Sequence, residues 1–162
     1  MATVNIKDVQ LVPLTVHEDD RGYLFEIIHK SDSYVSGAGE DIRQVYCVGD
    51  RIEKIVRAFH KHDYLHDWFC IVNGSAKFVL VDDRRDSPSY RRTDQIVCSH
   101  RVPKLLVVPP GVYHGWMGLE PNTILISVAS HEYSREKPDE CRVPPGEFNE
   151  LLVSDPWEIK GR

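Results

Sequence analysis

The sequence predicts an all-β domain, built as a sandwich or a barrel. Short segments rich in Val, Ile, Leu and aromatic residues recur along the chain, and turn residues bound many of them. Asn73-Gly74 lies between two such segments, a strong signal for a two-residue hairpin turn. Helical periodicity is weak, and the ten prolines and ten glycines are scattered. Many short strands at this spacing are typical of β-sandwiches and β-barrels.

The predicted strands, in chain order, are Val9–Val12, Tyr23–Ile28, Arg43–Val48, Lys54–Phe59, Trp68–Val72, Ala76–Val81, Leu105–Val108 and Thr123–Val128. The segments Ser31–Glu40 and Asp82–Arg92 are predicted loops, because the first holds a Ser-Gly-Ala-Gly run and the second is highly charged. One short helix is predicted near Glu147–Leu152, in the Pro-rich stretch that follows Pro138. No linker divides the chain, so residues 1–162 are expected to form a single domain.

Composition and charge narrow the classes of partner. The 162 residues are 41% hydrophobic and 28% charged, with a net charge of -5 and no long basic run, so nucleic acid is not the expected partner. No apolar run could span a bilayer, and the N-terminus lacks the pattern of a signal peptide, so no membrane partner is expected. Four widely spaced cysteines without a Cys-x-x-Cys pair favour a reduced, cytoplasmic protein.

Three histidines form the most informative pattern. His60 and His62 are two residues apart, so on a strand their side chains project from the same face. The spacing His-x-His-x4-Asp-x6-Gly, which runs from His60 through Asp67 to Gly74, resembles the first motif of the cupin superfamily. Pro-x-Gly-x-x-His, which ends at His114, resembles the second. The resemblance implies a double-stranded β-helix, the cupin jelly-roll barrel, with the three histidines meeting inside it.

The histidine pattern admits three interpretations. His60, His62, Asp67 and His114 could form a metal site, since imidazoles with a carboxylate suit Fe, Mn, Ni, Cu or Zn. They could instead carry out metal-free acid–base chemistry, because histidine titrates near neutral pH. They could also only fill the barrel interior.

Further segments resemble the dTDP-4-dehydrorhamnose 3,5-epimerases, over nearly the whole chain and in the same order. These are Asp19-Asp-Arg21-Gly-Tyr-Leu-Phe-Glu26, Arg57-Ala-Phe-His60, Val81-Asp-Asp-Arg84, Pro110-Gly-Val-Tyr-His114-Gly-Trp and Val153-Ser-Asp155-Pro-Trp. The middle of the chain is also similar to the sugar-nucleotide 3,4-ketoisomerases, at Arg43-Gln-Val-Tyr46, Arg57-Ala-Phe-His60-Lys-His62 and Ala129-Ser-His-Glu-Tyr133. Both families bind a nucleotide-diphospho-4-keto-6-deoxyhexose.

The resemblance implies an isomerase or epimerase that works through an enolate. His60 matches the base of both families, and Asp155 matches the carboxylate that orients this histidine in the epimerases. His62 and Tyr46 could supply acid–base partners in the ketoisomerase manner. A metal-dependent cupin enzyme, or a cupin that binds a sugar nucleotide without turnover, are the alternatives.

The resemblance also assigns the substrate contacts. Arg21 and Arg57 match positions that contact the diphosphate, an anion that the arginine fork suits well. Gln44 and Glu26 match positions that hold the base or the sugar, and His114 is expected to line the pocket. Neither family is thought to need a metal, which implies no cofactor, with a divalent transition metal as the alternative. Both families imply a homodimer.

Two positions depart from the epimerase pattern. Asp67 stands where those enzymes place the lysine that stabilises the enolate. Ser127 stands at about the position of their proton-donating tyrosine.

Overall fold

A computed structural model describes residues 4–152 and 154–159. Within these residues the chain forms one helical turn, α1 (Ser33–Ser36), which follows β3. The strands in chain order are β1 (Gln10–Pro13), β2 (Val16–Asp19), β3 (Gly22–Phe25), β4 (Gln44–Asp50), β5 (Val56–Lys61), β6 (Asp67–Asn73), β7 (Ser75–Asp82), β8 (Thr93–Ser99), β9 (Lys104–Val108), β10 (Val112–Gly118), β11 (Thr123–Ala129) and β12 (Cys141–Arg142).

Two antiparallel five-stranded sheets face each other. The first has the spatial order β1-β9-β6-β11-β4 and the second has the order β12-β5-β10-β7-β8. Strands β2 and β3 form a separate two-stranded hairpin. This architecture confirms the predicted all-β class. No helix of the part of the chain that the structure describes is long and apolar enough to cross a membrane.

Asn73-Gly74 is a corner between the sheets, so the predicted hairpin is wrong. β6 pairs with β9 and β11 in the first sheet, whereas β7 pairs with β8 and β10 in the second. Gly74 has φ +72°, and a Cβ added there would lie 2.5 Å from Thr123 Oγ1. Glycine is therefore required at this tight crossing, because Thr123 at the start of β11 leaves no room for a side chain.

The core has three layers, which explains why β6, β7 and β10 are buried along almost their whole length. A central cluster fills the space between the sheets and includes Phe69, Phe78 and Trp116. A second cluster covers the outer face of the first sheet, where Val35 of α1 packs near Trp68. The third covers the outer face of the second sheet, where the C-terminal segment contributes Phe148, Leu151, Leu152 and Trp157.

The predicted strands each overlap an observed one, but β2, β8, β10 and β12 were not predicted. β8 alternates buried and exposed residues as a strand with one face on the core should, while β2 is exposed throughout and carries no apolar pattern. The predicted helix near Glu147–Leu152 is wrong, since these residues form successive turns. The predicted loop Ser31–Glu40 contains α1.

We expect Gly74→Ala to lower the free energy of unfolding more than Gly39→Ala does. Gly39 has a similar φ of +74° but nothing within 4 Å of an added Cβ, so its substitution adds backbone strain alone. Left-handed strain costs about 1–2 kcal/mol, and the clash with Thr123 should add about 1–3 kcal/mol. Urea denaturation of both variants measures the difference. If the two variants lose the same free energy of unfolding, the contact between residue 74 and Thr123 does not contribute to the cost of the substitution.

Candidate active site

A cavity of about 350 Å³ opens between the two sheets. The first sheet lines it from β4, β6 and β11, and the second from β5 and β10. Chain segments 131–134 and 139–142 complete its wall. The predicted residues that it brings together are Gln44, Tyr46, Arg57, His60, His62, Asp67 and His114.

His60 lies on β5 directly opposite His114 of β10, and the two ring centroids are 6.2 Å apart. Its Nδ1 is 2.5 Å from Glu140 Oε1. Burial acts to raise the pKa of Glu140, but hydrogen bonds from Arg142 and His60 hold that pKa below its ordinary value. Glu140 is thus a carboxylate, which can only accept a hydrogen bond, so His60 Nδ1 carries a proton. In the neutral ring Nε2 is then an unprotonated base.

His62 follows β5 and is held by a main-chain oxygen. Its Nδ1 donates to the carbonyl of Asp139, so its Nε2 also carries a lone pair when the ring is neutral. The Asp139 carboxylate accepts the backbone N–H groups of Asp63, Tyr64 and Leu65. Asp139 therefore fixes both the turn after β5 and the orientation of the His62 ring.

Asp67 and His114 are the most deeply buried polar groups of the cavity, at 2% and 8% exposed. Burial raises the pKa of Asp67 to about 7, and the charges of Glu140 and Asp139 raise it while His62 lowers it. Burial, with the charges of the other two histidines, lowers the pKa of His114 to about 3. His114 is hence neutral, and its Nδ1 donates to the Val112 carbonyl at 3.2 Å.

Tyr46 lies across the cavity from His60, on β4 of the opposite sheet. Burial and the charge of Asp67 raise the pKa of its hydroxyl, which keeps the phenol protonated at neutral pH. Tyr46 is the register partner of Ser127 on β11. Cross-strand partners project from the same face of a sheet, so the side chains of Tyr46 and Ser127 lie on one face of the first sheet.

Two arginines supply positive charge to the cavity wall. Arg57 donates from Nε and Nη2 to Asp50 Oδ1 at 2.9 and 2.7 Å, and its guanidinium carbon lies 5.8 Å from the centroid of the Trp116 ring. Arg142 pairs with Glu140 at 2.7 Å and is 70% exposed. Gln44 is oriented by the backbone N–H of Tyr133, which donates to its Oε1 at 2.6 Å.

Arg21 and Glu26 do not line this cavity, and their substrate contacts stay predictions. Arg21 lies in the turn of the β2–β3 hairpin, with its side chain 90% exposed and paired to Asp19. Glu26 is 64% exposed and contacts His29. The hairpin forms its own two-stranded sheet, so these side chains are not held against the wall of the same chain's cavity.

Asp155 is not the carboxylate that contacts His60, and the prediction on that residue is corrected. Asp155 is exposed, and its Oδ1 accepts the backbone N–H of Trp157 at 2.9 Å. Glu140 occupies the predicted position at His60 because β12 pairs with β5, with Arg142 opposite His60.

A family model for dTDP-4-dehydrorhamnose 3,5-epimerase matches residues 3–147. The chain belongs to this family. The expectation of a sugar-nucleotide epimerase or isomerase is thereby confirmed at the level of the family, together with its cupin fold.

Relatives and solved structures agree with the assignment to the epimerase family. The chain is 32% identical to the spore coat polysaccharide biosynthesis protein SpsL of Bacillus subtilis, over 97% of this chain and 99% of the relative. It is 31% identical to the probable low-salt glycan biosynthesis epimerase Agl13 of Haloferax volcanii, over 86% and 88% of the two chains. Its fold matches dTDP-4-dehydrorhamnose 3,5-epimerase from Bacillus anthracis, solved with TDP and PPi bound, with TM-score 0.83, 24% identity and coverage of 99% and 90%.

Sequence reasoning missed Asp139, Glu140 and Arg142 as cavity residues of this epimerase-family chain. They belong to a Pro-rich stretch whose two-residue strand has no periodic pattern to detect. The only available signal was an Asp-Glu pair at a distance in sequence from the histidines. Trp116 was missed as well, although it follows His114 by two residues and so shares its face.

We expect His60 to be in the Nδ1–H tautomer when neutral, and Glu140→Ala to disturb that state. Removing the carboxylate removes the acceptor that selects the tautomer. Nitrogen-15 NMR of the labelled imidazole rings reports the tautomer directly. Asp155→Asn is the matched control and should leave the His60 signals unchanged. The opposite result, a change with Asp155→Asn and none with Glu140→Ala, would contradict the assignment of Glu140.

Proposed function

We propose that this protein epimerises a nucleotide-diphosphate-linked 4-keto-6-deoxyhexose through an enolate, with His60 as the base and Tyr46 as the proton donor. The observation that carries the proposal is the placement of an oriented imidazole and a protonated phenol on facing sheets of one cavity. Inversion at carbon requires a proton to leave one face of the sugar and another to arrive on the opposite face.

The first step is removal of a proton from the carbon beside the ketone. His60 Nε2 accepts the proton of C3 or C5, and the C–H electron pair moves to the C4 carbonyl oxygen, which gives an enolate and an imidazolium. Glu140 stabilises the imidazolium through the Nδ1–H bond, in the manner of the third group that orients other catalytic bases. Such a general base contributes about 10²–10⁴-fold to rate.

The second step is return of a proton to the same carbon from the other face. The enolate re-forms the C4 ketone while the carbon accepts the hydroxyl proton of Tyr46, which leaves a phenolate. Exchange with water then restores the phenol and the neutral imidazole. Tyr46 is the candidate donor because its ring shares a face with Ser127, at about the position of the family's tyrosine.

The nucleotide diphosphate is the part of the substrate through which cationic side chains can bind it. A neighbouring structure of similar fold, the 3'-monoepimerase ChmJ from Streptomyces bikiniensis, was solved in complex with dTDP-quinovose, and its TM-score is 0.82. In this chain the cationic groups of the cavity wall are Arg57 and Arg142, which could bind phosphate oxygens. The apolar part of the wall, from Phe69, Trp116 and Leu125, excludes water from the sugar.

The deciding measurement is proton NMR of dTDP-4-keto-6-deoxyglucose with the protein in D2O. We expect the C3 or C5 signal to disappear, and His60→Gln to slow this exchange by about 10²–10⁴-fold, because it removes the base. His17→Gln is the matched control, since His17 is exposed on β2, away from the cavity. Absence of exchange with the folded protein would overturn the proposal for this substrate. The product separates an epimer from a 3-keto isomer.

Tyr46→Phe should separate the two steps. The variant keeps the ring and the base but lacks the hydroxyl proton, so deuterium exchange should continue while formation of the epimer falls by about 10²-fold or more. Exchange and epimer are both read from the same NMR time course. A variant that forms epimer at the native rate would exclude Tyr46 as the donor.

Glu140→Gln should lower kcat by about 10–100-fold with KM within about twofold, since the amide oxygen still accepts Nδ1–H but cannot stabilise the imidazolium. Steady-state kinetics over a range of substrate concentrations separate the two constants. Glu140→Asp, which keeps the charge, should recover part of the loss. An effect confined to KM would place Glu140 in substrate binding instead of positioning.

A further inference from the structure

Ser127 carries a buried hydroxyl in apolar surroundings. The residue is fully buried, and its Oγ has no hydrogen-bond partner among the residues that the structure describes. On β6 its register partner is Phe69, and the residues two positions away on β11, which share its face, are Leu125 and Ala129. None of these three side chains offers a nitrogen or oxygen acceptor. A buried polar group without a partner is costly, so its position requires an explanation.

The polar neighbour of Ser127 is Tyr46, its register partner on β4. Burial raises the pKa of the Tyr46 hydroxyl most, and the charge of Asp67 at the start of β6 raises it further. The Ser127 side chain acts in the opposite direction and lowers this pKa, and the charge of Glu140, directly before β12, adds a smaller increase. A group that lowers the pKa of a phenol stabilises the phenolate more than the phenol, as a hydrogen-bond donor does.

We propose that Ser127 is a positioning residue, whose hydroxyl donates a hydrogen bond to the Tyr46 oxygen as that oxygen becomes anionic during proton transfer to the sugar. This inference rests on the proposed function, in which Tyr46 is the proton donor. A phenol that gives up its proton leaves a phenolate, which can only accept hydrogen bonds. A donor already placed where negative charge develops stabilises the transition state without reorganisation at the moment of reaction.

The unpartnered state of Ser127 Oγ fits this role. In the resting protein the hydroxyl is removed from water without a replacement bond, which costs stability. It gains a strong acceptor only when Tyr46 is anionic, and an interaction that is stronger in the transition state than in the ground state raises the rate. At about the position where the family pattern has its tyrosine, this chain thus has a group that assists a tyrosine of the neighbouring strand.

The pKa of Tyr46 can be measured without substrate. Carbon-13 NMR of protein labelled at tyrosine Cζ follows each phenol with pH, and the signal lost in Tyr46→Phe assigns the resonance. We expect a higher pKa of Tyr46 in Ser127→Ala than in the native chain, because the phenolate loses its donor. Ser127→Cys, which is close in volume and has a weak S–H donor, should give a value between the two.

Ser89→Ala is the matched control for the titration. Ser89 is also a buried serine, but its hydroxyl donates to Asp82 Oδ2 at 2.6 Å, outside the cavity. Its loss should leave the pKa of Tyr46 unchanged and lower the melting temperature, because Asp82 loses a donor. Ser127→Ala should melt no lower than the native chain, because its hydroxyl has no bond to lose. A clear loss of stability in Ser127→Ala would assign this hydroxyl to a structural bond and overturn the proposal.

The sugar-nucleotide assay tests the role in proton transfer. Ser127→Ala should keep deuterium exchange, while kcat for epimer formation falls by about 10–100-fold, the effect of removing a hydrogen bond to a charged group. KM should stay within about twofold, since the substrate is not contacted. In Tyr46→Phe there is no hydroxyl to assist, so addition of Ser127→Ala should not slow epimer formation further. An equal loss in both backgrounds would make the serine independent of Tyr46 and overturn the proposal.

The two kinds of measurement separate this proposal from the proposed function. An unchanged or lower pKa of Tyr46 in folded Ser127→Ala overturns the proposal, whatever the assay shows. A raised pKa with epimer formed at the native rate overturns the assistance to proton transfer. If the pKa rises and no sugar nucleotide reacts with the native chain, the hydrogen bond to the phenolate stands and the proposed function fails.

Discussion

The short strand β12 pairs with β5, and the two residues that directly precede β12 carry the hydrogen-bond acceptors of His60 and His62. Glu140 bonds His60 through its carboxylate, and Asp139 bonds His62 through its carbonyl. The pairing continues into Val143, which exchanges two backbone hydrogen bonds with Phe59. Phe59 is fully buried beneath Phe148 and Trp157, so the packing of the C-terminal segment on the outer face of the second sheet holds the acceptors in place. A loss of apolar contact on the outside of the barrel would therefore change the tautomers inside it.

The sequence motifs predicted the three histidines of the cavity but missed the residues that strand pairing brings to them from distant parts of the chain. The two-residue spacing of His60 and His62 predicted that both rings share one face, because strand periodicity is a local rule. That His114 joins them was implied by the resemblance to the two cupin motifs, and the structure brings the three rings together. The partner of His60 was beyond those rules. A match along the chain selected Asp155, whereas the fold brings Glu140, since edge-strand pairing carries no signature in a two-residue segment. The hairpin at Asn73-Gly74 was wrongly predicted for a similar reason. The residue types of a turn indicate its backbone dihedral angles but not which sheet the next strand joins.

The charge distribution of the cavity explains why its residues are so interdependent. Three carboxylates, Asp67, Asp139 and Glu140, lie on the wall together with three imidazoles. Two of the carboxylates accept hydrogen bonds from nearby donors: Glu140 from Arg142 and His60, and Asp139 from three backbone N–H groups. Asp67 Oδ2 lies farther from its nearest ring nitrogens, at 3.5 Å from His62 Nε2 and 3.6 Å from His114 Nε2, and burial makes its charged form costly. Burial thus favours the protonated form of Asp67, whose pKa it raises to about 7, while the charge of the neighbouring His62 ring acts in the opposite direction.

Tyr46 and Ser127 are register partners on β4 and β11, so their side chains share one face of the first sheet. Ser127 is fully buried, and its register partner on β4 carries a phenol on the same face. Adjacent strands in an antiparallel sheet place partner side chains about 5 Å apart, so a long side chain on one strand can cover the position of its neighbour. A comparison of positions along β11 alone finds Ser127 at about the position where the family pattern has a tyrosine. The neighbouring strand β4 places the Tyr46 phenol on the wall of the cavity that His60 also lines.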